Sequence, residues 1–129
     1  MIDIHKQVIF WRESAVEDWQ VAVELIQTGR LRHGLFFTQL ALEKLLKAHV
    51  CLRTNDLAPR IHNLIRLVEI AKINLLPQQF DTLAEMNPFN IEGRYPDNTL
   101  PLPTKEEASR SLARAEEIYL WLMNQLLSS

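Results

Sequence analysis

The chain has 129 residues, 47% hydrophobic and 23% charged, with a net charge of -2. That length suits one domain with one core, and the balance excludes a disordered or collagen-like chain. The single cysteine, Cys51, excludes an internal disulfide and a cysteine-built metal site, and it points to a reducing, cytoplasmic setting.

The opening stretch MIDIHKQVIFWRES lacks the apolar run of roughly 7–15 residues that marks a signal peptide. Nothing approaches the about 20 apolar residues that cross a bilayer. A protein neither secreted nor membrane-embedded is expected. The small net charge conceals an uneven distribution, because residues 30–66 carry seven Lys or Arg against two acids. Such a basic window attracts a nucleotide, RNA or an acidic partner surface, or it is a solvated face balanced by its neighbours.

Residues 1–9 read as an N-terminal tail. The first helix is predicted from Phe10 to Thr28, with Ala15, Trp19, Ala22, Val23 and Ile26 at three- and four-residue steps and Gly29 as its stop. The second runs from Leu31 to Arg53 and is apolar over more than one face, through Leu35, Phe36, Leu40, Leu42, Leu45, Leu46, Ala48 and Val50. So wide an apolar surface belongs in the middle of a bundle or at a dimer interface. A third helix, Arg60 to Ile73, carries Ile61, Leu64, Ile65, Val68 and Ala71 on one stripe, with Pro59 at its first turn.

A short fourth helix opens at Pro77 and closes before Pro88, with Phe80, Leu83 and Ala84 inward. Residues 87–103 then form a loop holding four of the six prolines, Pro88, Pro96, Pro101 and Pro103, and loops of that length are usually functional. The last helix has the clearest signal. In TKEE, Thr104 caps and Glu107 reaches back, and Ala108, Leu112, Ala115, Tyr119, Leu122 and Leu126 follow as one stripe. No stretch alternates in the manner of a strand. The economical fold is all-α: an antiparallel up-and-down bundle of four main helices plus a short fifth, in a single domain spanning 1–129.

Phosphate-cradling and zinc motifs of the GxxxxGK[ST], GxGxxG and HExxH kinds are absent, and three glycines are too few for a phosphate loop. His5, His33, His49 and His62 do not fall at i and i+4 of one helix, so no metal is expected, and no cofactor is implied. One stripe stands out. Gln39, Glu43 and Lys47 lie four apart and share a helix face beside Lys44. As a surface ion pair, Glu43 and Lys47 contribute only about 0.2–0.5 kcal/mol. On so apolar a helix, however, a polar face has to meet water, a partner or a ligand.

The stretch AVEDWQVAVELIQTGRLRHGLFFTQLALEKLLKAHV resembles the opening of the HEPN domain, the higher eukaryotes and prokaryotes nucleotide-binding domain. The features shared are Asp18 on the first helix and then Phe37, Gln39, Ala41, Glu43, Lys44 and Lys47 on the second. PRIHNLIRLVEIA is similar to that family's third helix through His62, Leu64 and Leu67, and GRYPD to the Arg-Tyr-Pro-Asp of one prokaryotic branch. The resemblance covers about residues 16–126.

It implies an all-helical bundle that dimerises. It also implies a minimal nucleotidyltransferase as partner, in a toxin-antitoxin or defence-type pair. Many such domains cleave RNA without metal through an Arg-x(4-6)-His motif. Here positions 99–101, counted from Arg94, are Thr, Leu and Pro, so that motif is missing. A nuclease would need Arg94 with a displaced histidine, for which His62 is the best candidate. The favoured expectation is a non-catalytic domain that binds a nucleotide, RNA or the partner through Asp18, Glu43, Lys44, Lys47, His62, Arg94 and Tyr95. A purely structural helical module is the plainest alternative.

Overall fold

The computed structural model describes residues 2–92 and 102–127, and every element among them is helical. They are α1 (Ile4–Gln27), α2 (Leu31–Thr54), α3 (Leu64–Ala71), α4 (Pro77–Met86), α5 (Phe89–Glu92) and α6 (Lys105–Leu127). The up-and-down bundle is all-α as expected. It differs from expectation at the starts of two helices, in the buried face of a third, and by one added helix.

The first helix begins six residues earlier than predicted, and residues 4–9 are not a tail. Asp3 caps it by accepting a hydrogen bond from Lys6 N at 3.1 Å, which satisfies a free N–H of the first turn. Val8 and Trp11 then extend the inward stripe of Ala15, Trp19, Ala22 and Ile26 by about two turns. A three-residue turn folds α2 back along α1, with Gly29 at φ +86. Gly34 sits against Ile26, leaving no room for a Cβ, so the hairpin closes tightly at this end.

α2 is the centre of the bundle and packs on α1, α3, α4, α5 and α6. Thirteen of its residues are buried, which explains why its apolar surface is wider than one stripe. α6 closes the other side. Trp19 of α1 stacks on Tyr119 with ring centroids 4.4 Å apart, and the expected capping box is present, with Thr104 Oγ1 accepting from Glu107 N and Glu107 Oε1 from Thr104 N.

The third helix starts at Leu64, not at Arg60, and Pro59 lies outside it. Asn63 caps it by accepting from Arg66 N at 3.1 Å, and Asn87 Oδ1 accepts from Leu64 N at 2.7 Å while its Nδ2 donates to Asn63 Oδ1. The end of α4 is thereby tied to the start of α3, and residues 55–63 are left outside any helix. In α4, Leu83 faces inward as expected, but Phe80 is 47% exposed and Ala84 is exposed, while Thr82 and Met86 are buried instead. α5 adds one turn within the proline-rich stretch expected to be a loop, and it packs on α2.

Candidate functional site

The polar stripe of α2 is buried: Gln39 is 0% exposed, Glu43 3% and Lys47 5%. The charges are tolerable there because Glu43 accepts from both of its neighbours on the stripe. Glu43 Oε1 accepts from Gln39 Nε2 at 3.4 Å, and Glu43 Oε2 accepts from Lys47 Nζ at 3.1 Å. Lys47 Nζ also lies 5.2 Å from the centroid of the Trp11 ring, a cation–π contact from α1.

His62 completes the cluster from the irregular stretch before α3. Its Nδ1 lies 3.1 Å from Glu43 Oε2, and its carbonyl accepts from Gln39 Nε2 at 3.0 Å. Both its backbone and its ring are therefore fixed by α2. A carboxylate only accepts, so Nδ1 carries the proton in this contact and the neutral ring has its lone pair on Nε2. The His62 side chain is 45% exposed over a carboxylate that is 3% exposed. That asymmetry is what makes the cluster more than internal support: one end is sealed and the other is open to a ligand.

A second pair lies along the α1–α2 seam. Lys44 Nζ is 2.7 Å from Asp18 Oδ2 and donates to Ser14 Oγ at 2.8 Å. The Asp18 contact is an ion pair whose angle falls short of a hydrogen bond. Both lysines of the sequence signature are thus held by carboxylates. Around His62, Arg60 and Arg66 are exposed, with Arg66 3.9 Å from Glu69.

Of the residues expected at a site, Glu43, Lys47 and His62 come together, while Asp18 and Lys44 pair with each other. Arg94 and Tyr95 lie outside the described residues. Trp11 and Ser14 were missed. Trp11 had a signal, since it stands four residues before Ala15 on the inward stripe; Ser14 had none. Gln39 Oε1 and Trp11 Nε1 are buried without a hydrogen-bond partner among the described residues. No three His, Cys, Asp or Glu side chains among those residues converge to hold a metal ion, and no described helix is long and apolar enough to cross a membrane.

The fold recurs among solved structures. TT1696 from Thermus thermophilus superposes with a TM-score of 0.78 at 20% identity, covering 92% of this chain and 97% of that one. ST0689, an archaeal HEPN homologue, superposes with a TM-score of 0.73, again at 20% identity and the same coverage. At that identity the likeness concerns the fold. No curated protein sequence matches the chain. The sequence model of the HEPN domain matches residues 8–126, nearly the whole chain, and the protein belongs to the HEPN domain family.

Proposed function

We propose that this HEPN domain binds a nucleotide or RNA through His62, held on Glu43, with Arg94 and Tyr95 as further contacts. The observation that carries this reading is the half-exposed imidazole locked at Nδ1 by a buried carboxylate. Such a ring, engaged at Nδ1, leaves Nε2 for a ligand. Lys47 and Lys44 support the site through Glu43 and Asp18 rather than touching the anion, since each is already paired. Contact with the anion then falls to His62 and to the guanidinium of Arg94, which can bond a phosphate through two parallel N–H groups.

The Glu43–His62 contact also favours a second reading, a metal-independent RNase. A histidine oriented by a carboxylate is suited to general base work, and an arginine can stabilise the charge that develops on the phosphate. Mixing the protein with RNA in EDTA at low salt, alongside His62→Ala and Arg94→Ala, separates the two. Binding without cleavage, weakened in both variants, is the result expected. Cleavage lost in both variants while the melting point persists establishes the RNase instead. Neither binding nor cleavage, of RNA or of a free nucleotide, overturns both.

The reading extends to a homodimer and to a minimal nucleotidyltransferase partner in a toxin-antitoxin or defence-type pair. Sedimentation at micromolar concentration showing only a 15.0 kDa species counts against the first. Absence of an adjacent nucleotidyltransferase gene counts against the second.

A further inference from the structure

A separate concavity of about 280 Å³ opens between α2, the α3–α4 connection and α6, walled by His49, Lys72, Asn74, Trp121 and Gln125 among others. It shares no residue with the His62 cluster, and no Asp or Glu among the described residues lines it. His49 Nε2 lies 2.8 Å from the Leu122 carbonyl, which can only accept. Nε2 therefore carries the proton, and the neutral ring keeps Nδ1 as an acceptor. Burial holds His49 below the ordinary imidazole range, so the ring is neutral at pH 7.

Among the described residues Lys72 is the cation of the wall, and none of their carboxylates pairs with it. It caps α3 at φ 54 and ψ 44, in the left-handed region. Glycine or asparagine is the usual residue there, and Asn55 plays that part at the end of α2. The turn itself closes α3, since Lys72 N donates to Glu69 O and Ile73 N to Val68 O, but glycine or asparagine would close it with less strain, so helix termination does not account for a lysine side chain beside the concavity. Trp121 is half-buried against the core and contributes aromatic surface, and Asn74 and Gln125 contribute amides.

We propose that this groove binds a small planar heteroaromatic anion, a ring bearing an N–H donor and a carboxylate or phosphate arm. The ring packs on Trp121, the donor reaches His49 or an amide oxygen, and the arm pairs with Lys72. A free heterocyclic carboxylate and a nucleotide share this chemistry. Titrating the whole chain with orotate, with adenosine monophosphate and with inorganic phosphate, in separate arms at low salt, distinguishes them. Binding is read from the Trp121 indole N–H resonance, assigned by its loss in Trp121→Phe.

A saturable shift at millimolar concentration or below is expected. Saturation by orotate alone identifies the carboxylate class, by adenosine monophosphate alone the nucleotide class, and by both the chemistry common to them. Lys72→Gln and Lys72→Gly should each weaken binding at least fivefold; the glycine variant suits the left-handed turn and guards against misfolding. His62→Ala should change binding less than twofold, which keeps this site distinct from the one above. The proposal fails if neither ring-bearing probe gives a saturable shift, or if inorganic phosphate alone reproduces the shift. It also fails if both Lys72 variants bind normally or if His62→Ala abolishes the response.

Discussion

Replacing Glu43 by Ala tests the central cluster most directly, because it removes the one group that Gln39, Lys47 and His62 share. The main cost falls on Lys47. Lys47 is 5% exposed, and its ammonium would be left with the Trp11 ring alone. A cation–π contact contributes about 0.5–2 kcal/mol, which does not replace a carboxylate, and stranding one partner of a buried pair costs about 3–5 kcal/mol. His62 adds little, since its ring can turn to water. For a domain of this size each kcal/mol lowers the melting temperature by roughly 3–5 °C. Glu43→Ala should therefore melt on the order of 10–20 °C below wild type in a calorimetric scan at pH 7. Glu43→Leu/Lys47→Met removes both charges at similar volume and should recover most of that loss. It should not recover RNA or nucleotide binding, because His62 still lacks its anchor. A single variant melting within about 3 °C of wild type, or a double variant as damaged as the single, refutes the buried-pair argument.

Gly34→Ala gains helix propensity worth about 1 kcal/mol, but the new Cβ overlaps the Ile26 side chain. Overpacking of about 1–3 kcal/mol should win, giving a lower urea midpoint; a raised midpoint would show that the hairpin yields. Thr104→Ala removes the cap of α6, and a loss of about 1 kcal/mol in chemical denaturation is expected. His49 gives stability a pH dependence. Burial lowers its pKa in the fold from the ordinary 6.5, so below that value the unfolded chain binds more protons than the native one. Its contribution should be intact above pH 6.5 and be lost as pH falls through the lowered native value; His49→Gln should flatten this part of the stability profile.

What was legible in the sequence divides by distance along the chain. The cap and stripe of α6 and the i, i+4, i+8 spacing of Gln39, Glu43 and Lys47 are local features, and they stand in the structure as the spacing implied. The start of α1 was also legible, since Asp3 stands ready to cap and Val8 and Trp11 continue the stripe, but the tail reading passed over it. The start of α3 was not, because Asn87, 23 residues beyond Leu64, supplies half of its cap. α4 shows a related limit. Periodicity states that one face is buried, and only the position of α6 and α3 decides that Thr82 and Met86 lie on it while Phe80 does not. The same holds for the charges. The cost of burying Glu43 and of partly burying Lys44 demanded partners for both. Nothing local assigned Glu43 to His62, in a stretch whose pattern suggests helix, or Lys44 to Asp18 across the α1–α2 seam. Chain separation conceals such pairings, and since the open edge of the cluster is created by one of them, the candidate site emerges only when the chain is folded.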